Sequence, residues 1–144
     1  MTTKVYVNLP VRDLSRSVEF FGRLGFVIDP DVSDERRAGV VLNEDAYVML
    51  LDAEHFATRT SKRVTDPRTH AQAIFSLSAE SRERVDEIVR AALDAGGTPA
   101  ADPIADGPLY AWSFEDPDGH LWEVAHMPVQ DARPDAEPDA GPDA

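Results

Sequence analysis

Phe114-Glu115-Asp116-Pro117-Asp118-Gly119-His120-Leu121-Trp122-Glu123-Val124 fixes a turn and the strand that must leave it. Asp116-Pro117-Asp118-Gly119 suits a type I turn, with Pro at the second position holding φ near its turn value and Gly at the fourth. His120–His126 then reads as a strand. A period of two puts Leu121, Glu123 and Ala125 on one face and His120, Trp122, Val124 and His126 on the other. One carboxylate therefore lies in the middle of an apolar strand. Such a Glu is either solvated on an exposed face or looks into a cavity, since a buried carboxylate is costly unless paired.

Outward from this stretch the same plan occurs twice. Val5, Val7, Leu9 and Val11 share one face of a strand, and Tyr6, Asn8 and Pro10 the other. Asp13 caps a helix with Leu14, Val18 and Phe21 on one stripe, and Leu24-Gly25 ends it. Three β-prone runs follow, Phe26–Ile28, Ala38–Leu42 and Tyr47–Leu51. In the second half, Ala71–Leu77 reads as a strand, and Ser78 or Ser81 caps a helix with the stripe Val85, Ile88, Val89, Ala92 and Leu93. Gly96-Gly97 stops it, and the runs Thr98–Pro103, Leu109–Phe114 and His120–His126 complete the set. The expectation is an α+β chain of two βαβββ modules, 4–56 and 71–127, joined by a connector over 57–70. That connector carries Arg59, Lys62, Arg63 and Arg68, and His70 at its end.

With 144 residues the chain accommodates one domain over 1–127. Residues 128–144 repeat Pro-Asp-Ala, hold five acids against Arg133, and read as a disordered acidic tail. The net charge of −13 argues against nucleic acid and anionic membrane surfaces as partners. The absence of Cys excludes disulfides, zinc ribbons and thiol nucleophiles. No stretch approaches the ~20 apolar residues that span a bilayer, and the expected setting is cytoplasmic.

A four-stranded sheet with a helix on one face leaves its other face uncovered. Two such modules can join and curve around a shared cavity, where small-molecule sites tend to lie. Glu123, Tyr6, Asn8, Tyr47, Met49, Gln72, Tyr110 and Trp112 are the candidate residues for that cavity. Plain core packing is the competing explanation for each aromatic.

The run Val7–Phe21, the Leu24-Gly25-Phe26 helix stop, Gly96-Gly97 and Phe114–Val124 resemble the vicinal oxygen chelate superfamily. It includes glyoxalase I, type I extradiol dioxygenases, fosfomycin-resistance enzymes, methylmalonyl-CoA epimerases and metal-free bleomycin-binding proteins. The resemblance covers about residues 4–127 and implies the glyoxalase/bleomycin-resistance/dioxygenase fold, a curved mixed sheet around a cavity. It also implies four strand positions that hold a divalent metal in the family's enzymes. Those positions fall here at Tyr6, near Leu50, at Gln72 and at Glu123.

Only Glu123 is a strong ligand type. Asn8, Gln72 and Glu123 are the weak candidates for a hard ion, with His70 as the one histidine stand-in, and moderate-affinity divalent sites want several carboxylates or imidazoles. The expectation is a small-molecule binder or a metal-independent enzyme without a cofactor, in which Glu123 serves as base. A divalent-metal-dependent lyase or dioxygenase with a rearranged ligand set is the alternative. Either way a homodimer is expected. The connector is read as a solvated hinge or as a lid over an anionic ligand.

Overall fold

Alternating apolar residues form β1 (Val5–Val11), and the Asp13 carboxylate caps α1 (Leu14–Arg23) by accepting the Arg16 N–H. After the Gly25 stop come β2 (Val27–Asp29), a single 3-10 turn at Pro30–Val32, β3 (Arg37–Asn43), β4 (Ala46–Asp52) and a short α2 (Ala53–Ala57). The first sheet has the order β1-β4-β3-β2, with β1 parallel to β4 and the other pairs antiparallel. This computed structural model describes residues 3–128, so the tail 129–144 lies outside the described residues.

The second module comprises β5 (Ile74–Ser78), α3 (Arg82–Asp94), β6 (Thr98–Pro99), β7 (Ile104–Asp106), β8 (Leu109–Glu115) and β9 (Leu121–His126). Its sheet runs β5-β9-β8-β6, with β7 also on β8, and β5 parallel to β9. The fold is α+β with two mixed sheets, each module strand, helix and then further strands. Ser81, rather than Ser78, caps α3.

Two boundaries depart from the pattern reading for physical reasons. β5 starts at Ile74 instead of Ala71 because its partner β9 begins only at Leu121, after the turn, leaving Ala71–Ala73 no strand to pair with. The run Thr98–Pro103 breaks after Pro99, since Pro99 and Pro103 lack an N–H for a ladder, and pairing resumes at Ile104.

One core serves both modules. Leu9, Val48 and Leu50 from the first sheet and Phe114, Trp122 and Val124 from the second are all buried beneath the two helices. Phe20 and Phe21 of α1 reach across: their rings lie 6.0 Å from Phe114 and 5.2 Å from Trp122. Such aromatic pairs contribute about 0.5–1.5 kcal/mol each beyond buried area. Among the described residues no ladder joins the two sheets, so the modules meet through their helix-side faces. The opposite, outer face of each sheet carries the other residues of the alternation.

Candidate functional site

The opening turn forms as expected, with the Gly119 N–H donating to Asp116 O at 2.9 Å. Its carboxylates turn inward. Asp116 is 3% exposed; its Oδ1 accepts from the N–H groups of Asp118, Gly119 and His120, and its Oδ2 accepts from Trp122 Nε1 at 3.1 Å. Burial pushes the Asp116 carboxyl above its usual range, against the pull of His120 and of these donors.

Asp118 is 1% exposed and reaches the first module. It accepts from the Arg12 N–H at 2.9 Å and the Ser17 hydroxyl at 3.3 Å, with the Arg12 and Arg16 guanidinium groups 3.6 and 3.9 Å away. Sequence reasoning missed Asp116 as the acceptor that closes the turn and Asp118 as the junction residue, although Asp on either side of Pro in a turn signals side-chain bonds to nearby backbone.

The turn also positions the connector. A Cβ at Gly119 would stand 2.9 Å from Pro67 O and from Arg68 Cα, so only Gly admits this approach. Gly119 further has φ +100°, a conformation that L side chains rarely adopt. Held there, residues 60–73 enclose a cavity of about 360 Å³ against the end of β1 and the start of β5. Phe56, Val64, Phe75 and Leu121 supply apolar wall, while Asn8, Gln72, His70 and His120 supply further polar groups and Lys62 and Arg63 supply cations.

His120 Nε2 lies 2.9 Å from Pro10 O. A carbonyl only accepts, so Nε2 carries the proton and Nδ1 is the ring nitrogen left for a ligand. His120 therefore belongs to the cavity; the parity of its strand could not reveal this because it precedes β9.

The structure brings Asn8 and Gln72 to this one cavity and leaves the other candidates elsewhere. Tyr6, Tyr47 and Met49 lie on the outer face of the first sheet, where Tyr6 and Tyr47 stack at 5.1 Å. Glu123 lies half-buried on the outer face of the second sheet, accepting from the Ser76 hydroxyl at 2.9 Å. Tyr110 and Trp112 require correction as companions of Glu123. Glu123 pairs with Ser113, so the even-numbered residues of β8 share the face of Trp122 instead. Trp112 packs against the core. The Tyr110 hydroxyl donates to Asp86 of α3 at 2.6 Å, which raises its pKa, and Arg82 stands 5.2 Å from its ring.

The donor chemistry does not fit a divalent ion. Leu50, at one of the four implied positions, is fully buried on the helix side of β4 and has no donor atom. Glu123, Asn8 and Gln72 do not converge, and the cavity itself offers amides and imidazoles without a carboxylate. Among the described residues no three His, Cys, Asp or Glu side chains cluster in a way that could hold an ion.

Comparison with known proteins places these features in a family. The sequence profile of the "Glyoxalase/Bleomycin resistance protein/Dioxygenase superfamily" matches residues 4–124. A hypothetical protein from S. aureus is similar with 26% identity and a TM-score of 0.75, over 88% of this chain and 94% of that one. A glyoxalase-related enzyme from Fulvimarina pelagi superposes with a TM-score of 0.76 at 21% identity, over 90% and 91% of the two chains. The fosfomycin resistance protein FosX from Listeria monocytogenes, solved with Mn(II) and sulfate, shares the fold at 14% identity with a TM-score of 0.62, over 90% and 92%. No curated protein gave a significant match.

Proposed function

Because the chain belongs to the glyoxalase/bleomycin resistance protein/dioxygenase superfamily, we propose that it is a small-molecule-binding protein that works without a divalent ion. Its ligand occupies the cavity between β1, the connector and β5. The observation that carries this reading is the cavity of about 360 Å³ with apolar walls and a few converging polar groups, the size and lining of small-molecule sites. A cysteine-free chain is compatible with work in the cytoplasm.

A homodimer is part of the same reading. Tyr6, Ile74 and Ile104 are 49%, 63% and 48% exposed. The strand registers place all three on the outer faces of the sheets, where a second copy covers them and encloses Glu123. A metal-independent reaction using Glu123 as base would belong to that enclosed face.

The competing reading, a metal-dependent lyase or dioxygenase, is favoured by the Mn(II) found in FosX and opposed by the donor set described above. The test starts from protein expressed with Mn²⁺, Ni²⁺ and Fe²⁺ supplied. Metal content well below one ion per chain is expected, as is a light-scattering mass of two chains. Binding of an anilinonaphthalene sulfonate dye is expected to survive chelation and to be lost in Ala73→Trp, which fills the cavity. Stoichiometric metal that disappears in Glu123→Gln would transfer the function to the metal reading, and dye binding indifferent to Ala73→Trp would remove the cavity.

A further inference from the structure

We infer that the cavity selects an organic anion, one negatively charged oxyanion head on a compact apolar body, and that Lys62 and Arg63 are the residues that choose it. The inference rests on the cavity reading above and adds the charge class of the ligand. Its basis is an inversion of charge. The chain holds 27 acidic residues against 14 Lys and Arg, yet no Asp or Glu lines this cavity while Lys62 and Arg63 do.

The acids of the adjoining pocket are already committed. Asp66 and Asp118 line the smaller adjoining pocket with Arg12 and Arg68. Asp118 holds Arg12 N–H and Ser17, and Asp66 takes Arg68 through bonds of 2.8–3.3 Å. Of the four connector cations, Arg68 is thereby spent and Arg59 lies outside the lining. Lys62 and Arg63 make no ion pair among the described residues.

Two unpaired cations at one cavity repel each other and are relieved by an anion between them. The connector that carries them is held against the Gly119 turn at Pro67 and Arg68. The opposite wall fits the remainder of such a ligand. Phe56 and Phe75 offer aromatic surface for an apolar body. Asn8 and Gln72 each carry both donor and acceptor atoms, so either accommodates an oxyanion oxygen or a hydroxyl.

Four probes separate the possibilities by calorimetry on the full chain: phenylacetate, its neutral isostere phenylacetamide, phenyl phosphate and inorganic phosphate. Phenylacetate or phenyl phosphate is expected to bind and the neutral amide to bind at least tenfold more weakly. The stronger of the two anions identifies the head group as carboxylate or phosphate. Inorganic phosphate, lacking the apolar body, is expected to bind far more weakly than either.

Removing each charge in Lys62→Gln and Arg63→Gln should weaken the bound anion about fivefold. Raising salt to about 1 M, where screening acts within about 3 Å, should reproduce much of that loss. Both side chains are exposed, so the variants are expected to keep the wild-type melting temperature. Arg68→Gln, with its guanidinium already on Asp66, is expected to change binding less than twofold. Equal binding of phenylacetate and phenylacetamide, both displaced by Ala73→Trp, would overturn the charge class and leave the cavity reading standing. Binding of none of the four would end both.

Discussion

The Asp116–Gly119 turn and the 60–73 connector touch each other, yet they handle charge in opposite ways. The turn buries two carboxylates and surrounds them with donors: three backbone N–H groups and an indole on Asp116, a backbone N–H and a hydroxyl on Asp118. The connector leaves two cations exposed and without an ionic partner among the described residues. Charge satisfied within the chain indicates architecture, because a buried carboxylate is tolerated only when its lone pairs are occupied. Charge left unsatisfied beside a cavity indicates something outside the chain. Through Asp118 the turn is therefore a clasp between modules, and the cations near it are what remains for a ligand.

The largest expected effect tests the turn that carries the clasp. Asp116→Ala leaves three turn N–H groups and the Trp122 indole without their acceptor in a site closed to water. Each orphaned buried donor costs about 1–3 kcal/mol before relaxation, and the sum places this change near 4 kcal/mol, the upper range for single substitutions. Urea unfolding is the measurement. Asp116→Asn keeps one acceptor oxygen but sets an NH₂ group against the indole N–H, and is expected to cost about half as much. A loss below 1 kcal/mol for Asp116→Ala would mean that the turn does not depend on its buried carboxylate, and the contrast with the connector would fail.

Much of this was legible in the residues, and the misses share a cause. Alternation along Val5–Val11 and Leu121–His126 and the stripe Val85–Leu93 follow from local geometry, so the order of elements could be read directly. The turn at Asp116–Gly119 could be read for the same reason. What local pattern cannot supply is which surface meets which. Alternation alone leaves Tyr110 and Trp112 as candidates for the cavity, whereas ladder register, a property of two strands together, puts them under α3. Asp118 bonding Ser17 across 101 residues and Gly119 lying on Pro67 are likewise tertiary facts. Lys62 and Arg63 were visible as basic residues, but Arg68 was indistinguishable from them until its bonds to Asp66 were seen.

A middle-sized effect lies where the two regions meet. Gly119→Ala forces a side chain into φ +100° and sets its Cβ 2.9 Å from Pro67 O and Arg68 Cα, backbone that cannot swing aside as a flexible side chain would. A strained left-handed residue costs about 1–3 kcal/mol, so about 2 kcal/mol of stability is expected to be lost. The comparison is sharpened by the second readout. Because the clash falls on the connector, cavity binding of the naphthalene sulfonate dye at saturating folded fraction should weaken as well, whereas Asp94→Ala on the far end of α3 should leave it unchanged. If Gly119→Ala lowers the melting temperature without touching dye binding, the turn supports the modules but does not position the connector.

The smallest effect asks whether Arg68 belongs with the clasp or with the cavity. Its bonds to Asp66, first through the side chain and then through its own N–H, lower the Asp66 carboxyl from 3.8 to about 2. A depressed carboxyl pKa means the contact is fully present above pH 3.8 and is lost as pH falls through about 2. Both groups are open to solvent, so screening keeps the effect on global stability slight. The carboxyl carbon of Asp66, followed by NMR during acid titration, should move near pH 2 in the native chain and return toward 3.8 in Arg68→Gln. An Asp66 that titrates near 3.8 in the native chain would free Arg68 to join Lys62 and Arg63. Three cations would then face the cavity, and the boundary between charge spent on structure and charge kept for a ligand would shift by one residue.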